Sequence, residues 1–232
     1  MYNVFYGGKK LRTKLIDRNL PNYTRGEEIF NMVSHIVGGV IGVVVLVLCV
    51  IVAAINGNVY GIVSSAIYGS SMILLYTISS IYHGLRPGTG KKVFQVLDHC
   101  TIYILIAGTY TPILLSAIRL VNPVVAWTLF GIEWGLTAFA ITLTAIDLKR
   151  FGIFSMTCYI VMGWAVIVVY KIAIEAITLD GFILLFIGGI LYTIGSITYG
   201  IGKRKKYMHN VFHVFVLLGS LFQFLSIILY CL

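Results

Sequence analysis

The feature that most constrains this chain is a series of seven long apolar runs separated by short polar connections. Each run is close to the roughly 20 residues that an α-helix needs to cross a bilayer. Because unpaired backbone groups are costly in hydrocarbon, such runs fold as membrane-spanning helices. The pattern predicts an all-α, polytopic membrane protein, a seven-transmembrane helix bundle, with spans at residues 29–54, 60–83, 93–118, 122–145, 153–171, 181–201 and 208–230.

The charged residues predict the orientation of this bundle. Only 11% of the chain is charged, against about a quarter in soluble domains. All but two of the 17 Lys and Arg residues lie before the first span or after spans two, four and six, the exceptions being Arg119 and Lys171. The positive-inside rule then places the N-terminus in the cytoplasm and the C-terminus outside. We expect a basic cytoplasmic arm at residues 1–25 and a single transmembrane domain at 26–232, with no nucleic-acid partner.

With this orientation all five histidines fall in one layer near the cytoplasmic surface. His209 and His213 open the last span, four residues apart and therefore on one helix face. His83 ends the second span at the same depth. Three imidazoles and one water are the ligands of a catalytic zinc ion, so these three histidines are predicted to bind zinc.

Two further polar residues complete a hydrolytic set in this layer. Asp98, near the start of span three, could hold a water molecule and take its proton. Ser79, one turn before His83, could hydrogen-bond that water, Asp98 or a developing oxyanion. The alternatives are a pair between Asp98 and Lys91 or Lys92 at the membrane surface, and a serine that bonds to its own helix.

From about residue 24 to the C-terminus the chain resembles the hemolysin III family of bacterial membrane proteins, in the progestin and adiponectin receptor (PAQR) superfamily. The resemblance rests on four motifs in order: Glu28-x-x-Asn31-x-x-Ser34-His35, Ser79-x-x-x-His83, Leu97-Asp98-His99 followed by Gly108-Thr109-Tyr110-Thr111-Pro112, and His209-x-x-x-His213. It implies a seven-span protein of the bacterial plasma (inner) membrane, with zinc on His83, His209 and His213 and with Asp98 on the zinc-bound water. Alkaline ceramidases share the pattern of one serine, three histidines and one aspartate.

The remaining polar residues of the layer are expected to support the ligands. We assign this role to Glu28, Asn31, His35 and His99, because three metal ligands are already provided. Thr24 and Glu27 fit a capping box that opens the first helix. Glu133, in the middle of span four, has no assigned role.

These residues favour a zinc-dependent hydrolase of a lipid amide or ester, or a regulator of membrane-lipid homeostasis, with membrane lipids as partners. One alternative is a cytolysin that permeabilises membranes, although neither a signal peptide nor a late-inserting amphipathic segment is visible. Another is a receptor-like lipid sensor with a non-catalytic zinc. The open fourth coordination position disfavours the sensor, because structural zinc is usually closed by four protein ligands.

Overall fold

The structure is a computed structural model that describes residues 5–6, 9–10, 13–202 and 205–232. Its helices are α1 (Arg25–Ile55), α2 (Val59–Gly84), α3 (Thr89–Pro112), α4 (Arg119–Val121), α5 (Pro123–Ile146), α6 (Gly152–Gly163), α7 (Tyr170–Gly202) and α8 (Met208–Tyr230). A π-helical segment, Ile113–Ile118, joins α3 to α4, and 3-10 turns occur at Leu15–Asp17 and Ala165–Val169. Two strands of two residues, Phe5–Tyr6 (β1) and Lys9–Lys10 (β2), pair antiparallel. The rest of residues 1–12 of the predicted arm, and Lys203 and Arg204, lie outside the described residues.

The number of spans differs from the prediction. In the described ranges, six helical segments are long and apolar enough to cross a membrane, whereas the sequence predicted seven. The difference lies in residues 152–202, which form one apolar helical stretch of 51 residues where two spans were expected. The other five predicted runs each coincide with one segment to within a few residues. The structure therefore confirms a polytopic, all-α membrane protein but does not itself establish seven spans.

The distribution of polar side chains is that of a membrane protein. Large apolar side chains cover the outside of the bundle: Val124 is 76% exposed and Val168 is 83% exposed. Polar side chains such as Asn31, His83 and Glu133 are buried inside. In water this arrangement would expose a very large apolar surface, so the chain is an integral, multi-pass membrane protein.

Glycines bring the helices into close contact. In α1, a Cβ on Gly38 would lie 2.6 Å from the Tyr76 ring, and one on Gly42 would lie 3.2 Å from Ile73, so this glycine face of the first helix packs against α2. A second face is spaced by seven residues along α7 and contacts α8; it consists of Gly181, Gly188, Gly195 and Gly202. Small residues at these positions allow the backbones to approach closely, which holds the N-terminal turns of α8 in place.

Side-chain contacts between the helix ends and the segments that connect them define two ends of the bundle. Contacts at one end, which we call the arm end, include Arg18 to the Ile146 carbonyl, Lys91 to Glu28, and Glu27 to the Tyr207 N–H. Contacts at the opposite, far end include Asn58 to Ser116, and Ser116 to the Cys231 carbonyl. The basic connections therefore gather at one end of the molecule.

Candidate metal centre

Three histidine rings meet at the arm end of the bundle. His83 comes from the last turn of α2, and His209 and His213 come from the first turns of α8. The Nε2 atom of His209 lies 3.4 Å from Nε2 of His83 and 3.2 Å from Nε2 of His213. A tetrahedral zinc ion with Zn–N bonds of about 2.05 Å would hold its ligand atoms ~3.3 Å apart. The three buried histidines therefore fit a metal ion, as the sequence predicted.

Glu28 fixes the orientation of the His83 ring. Its Oε2 lies 2.6 Å from His83 Nδ1, and its Oε1 accepts a hydrogen bond of 2.7 Å from the Lys91 ammonium group. Because a carboxylate only accepts hydrogen bonds, the proton of the neutral ring lies on Nδ1 and the lone pair of Nε2 faces the other two histidines. This carboxylate–histidine arrangement is the usual support of a metal ligand.

The other two ligand rings are supported differently. The ring of His35 stacks on that of His213 at a centroid distance of 3.8 Å, and Ser34 Oγ lies 3.5 Å from His213 Nδ1. The Tyr23 ring stacks on His209 at 4.7 Å and 17°. His209 Nδ1 is buried and has no hydrogen-bond partner among the described residues, so this ring is held by stacking and not by a hydrogen bond.

Glu27 ties the first turn of α1 to the start of α8. It forms the predicted capping box with Thr24, and its Oε1 also accepts a 2.7 Å hydrogen bond from the N–H of Tyr207. Tyr207 has a left-handed backbone conformation with φ of 64°, which is uncommon for a residue with a side chain. Glu27 therefore stabilises the turn that presents His209 and His213.

A largely apolar cavity extends from the histidines into the bundle. It encloses about 1480 Å³ of empty space, which includes the open space at its mouth. Asp98 and Ser79 line it together with His209. Both predicted catalytic residues are thus placed at the cavity that reaches the metal centre.

The alternative partners considered for Asp98 are occupied elsewhere. Lys91 pairs with Glu28, and Lys92 donates to the backbone carbonyl of Ile16. The alternative in which one of these lysines pairs with Asp98 is therefore not observed among the described contacts, because the Lys91 ammonium group binds the Glu28 carboxylate of α1 instead. Asp98 keeps its side chain at the cavity.

The remaining predicted supporting residues fall at different distances from the ligands. His99 lines the cavity, but its ring nitrogens lie 2.8 Å from the Gln95 carbonyl and 3.1 Å from the Tyr199 hydroxyl, away from the ion site. Asn31 is fully buried on α1. Glu133 is buried on α5, and one of its carboxylate oxygens has no partner among the described residues.

Two residues of this site were not identified from the sequence. Lys91 was considered only as a partner of Asp98, and Tyr23 lies before the first span, where no periodicity predicts its position. The Glu28 motif was a usable signal for Lys91, since a carboxylate at membrane depth requires a partner. No comparable signal exists for Tyr23.

Replacing Lys91 by methionine should weaken metal binding at least tenfold. The change leaves the Glu28 carboxylate without its cation, so Glu28 no longer holds His83 in one orientation, and loss of such a supporting contact costs about 10- to 100-fold in affinity. Competition with a fluorescent zinc chelator measures the effect. Lys149→Met, an exposed lysine at the same end, is the matched control and should leave the affinity unchanged; equal affinities for both variants would contradict the assigned role.

Comparisons with known proteins identify relatives across almost the whole chain. Residues 23–224 match the sequence family described as "Haemolysin-III related". The chain is 39% identical over 206 residues to "Hemolysin-3" of Bacillus cereus, covering 89% of this chain and 92% of that protein. It is also 39% identical over 209 residues to "Hemolysin-3 homolog" of Bacillus subtilis (strain 168), covering 90% and 96% respectively.

Proposed function

Because the chain belongs to the hemolysin III family, within the PAQR superfamily, we propose that it is a zinc-dependent membrane hydrolase that cleaves an amide or ester bond in a lipid. The observation that carries the proposal is the convergence of three histidine Nε2 atoms at one end of an apolar cavity that Asp98 and Ser79 also line. Membrane lipids are then its partners, and the relatives from Bacillus support a bacterial plasma (inner) membrane.

Zinc is the metal that this ligand set favours. A catalytic zinc site with three imidazole ligands keeps its fourth coordination position open. The described histidine cluster includes none of the four cysteines, so it offers no thiolate, which is a softer ligand. When bound, zinc would polarise the scissile carbonyl and make a nearby water molecule more acidic. Such chemistry needs no further cofactor.

The residues of the chain supply the rest of the reaction. Asp98 accepts a proton from the attacking water and returns it to the leaving amine or alcohol as the C–N or C–O bond breaks. Ser79 donates a hydrogen bond to the oxyanion that develops on the carbonyl. The apolar wall, including Leu105, Ile106 and Phe186, holds the acyl chain and keeps bulk water out.

The proposed topology is seven spans with a cytoplasmic N-terminus. At 1.5 Å per residue a straight helix of 51 residues would extend ~76 Å, more than twice the hydrocarbon thickness. The stretch begins near Asp147 and ends at Gly202, which lies against the His209 backbone, so both of its ends are at the arm end. A non-helical residue, Thr178, interrupts it. These observations support two crossings that reverse near Thr178, with the basic arm end in the cytoplasm.

A lipid panel tests the activity. Purified protein in mixed micelles should release fatty acid from a ceramide or another N-acyl or O-acyl lipid, and release should stop when a chelator removes the metal and resume when zinc is restored. Zinc binding without turnover of any lipid in the panel would contradict the hydrolase and leave a lipid-sensing role for the same cavity.

A second candidate function, membrane lysis, is favoured by the names of the two relatives alone. Protein added to liposomes made only of ether-linked lipids, which contain no amide or carboxylic ester bond, separates the two. Dye release from such liposomes would support a cytolysin. Intact liposomes, together with fatty-acid release from cleavable lipids, would support the hydrolase.

A further inference from the structure

The segment Thr13–Tyr23, which we call the strap, crosses the arm end of the bundle. At its start the Thr13 N–H donates a 2.7 Å hydrogen bond to Asp147 Oδ2, just after α5. In its middle Lys92, on α3, donates to the Ile16 carbonyl. At its end Thr24 caps α1. The strap therefore passes over the opening between these three helices.

The Asp147 carboxylate anchors the start of the strap. Asp147 is 2% exposed, and its Oδ1 accepts hydrogen bonds of 3.1 Å from the N–H groups of Lys149 and Arg150, leaving Oδ2 for Thr13. Arg18, 6% exposed, donates to the Ile146 carbonyl at the C-terminus of α5, where the helix dipole favours a cation. Two contacts thus fix the first half of the strap to α5.

The anchor persists over a wide pH range. Burial acts to raise the pKa of the Asp147 carboxyl, but the N–H groups of Thr13 and Arg150 outweigh it and hold the pKa below the usual value of 3.8. A lowered pKa means that the stabilisation is fully present above about pH 4 and is lost only in stronger acid. Mild acidification should not release the strap.

The second half of the strap reaches the metal centre. Pro21 and Tyr23 line the cavity, and Tyr23 stacks on His209, the one ligand whose second ring nitrogen has no acceptor in the described chain. Stacking restricts the rotation of the imidazole as a hydrogen bond to Nδ1 would.

We propose that the strap is a roof over the metal centre, in which Tyr23 is a positioning residue for the ligand His209 and Asp147 holds the roof in place. This role rests on the proposed metal site, but nothing in the hydrolytic chemistry requires it. It makes the residues before the first span part of the site.

Two pairs of variants and two kinds of measurement test this role of the strap. Tyr23→Ala should weaken zinc binding, measured with a competing chelator, by tenfold or more, whereas Tyr23→Phe keeps the ring and should remain within twofold. Thr13→Pro removes the N–H donor together with the threonine hydroxyl, which also bonds Asp147, and Asp147→Ala removes the acceptor. Both variants should lose zinc to excess EDTA several-fold faster than wild type, and trypsin should cleave them several-fold faster after the buried Arg18. Cleavage after the exposed Lys206 should not change. In the control variant Asp180→Ala, all of these rates should equal those of wild type.

The outcomes separate this inference from the proposed function. Equal zinc affinity for Tyr23→Ala and wild type, or an equal loss in Tyr23→Phe, would overturn the positioning role. Unchanged cleavage after Arg18 in Thr13→Pro and Asp147→Ala would overturn the anchor. A wild type that binds no zinc defeats the proposed function and the role of Tyr23 together, while the cleavage rates still decide whether Asp147 holds the strap.

Discussion

Replacing His213 by alanine should reduce the zinc content of the purified protein from about one ion per chain to nearly none. The ring supplies one of three converging nitrogen atoms and lies 3.2 Å from the nitrogen of His209, so its loss leaves two ligands that cannot enclose the ion. Elemental analysis after removal of loosely bound metal measures the content. Thermal unfolding gives a second readout, because an ion that binds only the folded state raises the melting temperature, and the rise grows with the logarithm of the ratio of ion concentration to Kd.

His99→Ala is the matched control for this variant. His99 is also a histidine that lines the cavity, but its ring nitrogens face the Gln95 carbonyl and the Tyr199 hydroxyl. It should therefore keep one zinc ion per chain and the zinc-dependent rise in melting temperature. Full zinc content in His213→Ala, or equal loss in both variants, would contradict the assignment of the ligands.

Replacing Asp98 by asparagine should lower the rate of lipid hydrolysis by about 10²- to 10⁴-fold, the usual contribution of a general acid–base group. Asparagine has nearly the same shape and keeps a polar group at the cavity, but it cannot accept the proton of the attacking water. Because Asp98 is not one of the three grouped ligands, the zinc content should not change. Fatty-acid release per bound zinc ion is the quantity to compare.

Asp180→Asn is the control for Asp98→Asn, since Asp180 is an exposed aspartate near the far end of the bundle. It should hydrolyse lipid at the wild-type rate. If Asp98→Asn also did so with its zinc content intact, Asp98 would not be the proton acceptor, and the proposed mechanism would be wrong in that step.

Much of the fold follows from hydrophobicity alone. Five of the predicted spans match helical segments because each apolar run is bounded by polar or turn-forming residues, such as Asn56 and Gly57 after α1. The sequence divides residues 152–202 into two runs separated by 172–180, whereas these residues form one apolar helical stretch in which Thr178 is non-helical. The sequence analysis also did not identify the four glycines that pack α7 against α8. They are spaced by seven residues, and this spacing can be recognised as a contact face only when the partner helix is known.

The convergence of His83, His209 and His213 was predictable because depth and helical spacing act together. His209 and His213 share a face by their spacing, and His83 lies at the same depth once the orientation is known. Depth does not determine the direction in which a helix faces, however. The sequence analysis considered Lys91 only as a partner of Asp98, although the Glu28 carboxylate at membrane depth also required a partner, and the stacking of Tyr23 could not be anticipated at all.

X-ray absorption spectroscopy at the zinc edge of the purified protein tests the metal centre most directly. Coordination by His83, His209 and His213 predicts three nitrogen ligands at about 2.0–2.1 Å with the multiple scattering of imidazole rings, and one further light atom. A protein without zinc, or a spectrum dominated by sulfur or by oxygen ligands without imidazole scattering, would show that these three histidines do not form the metal site.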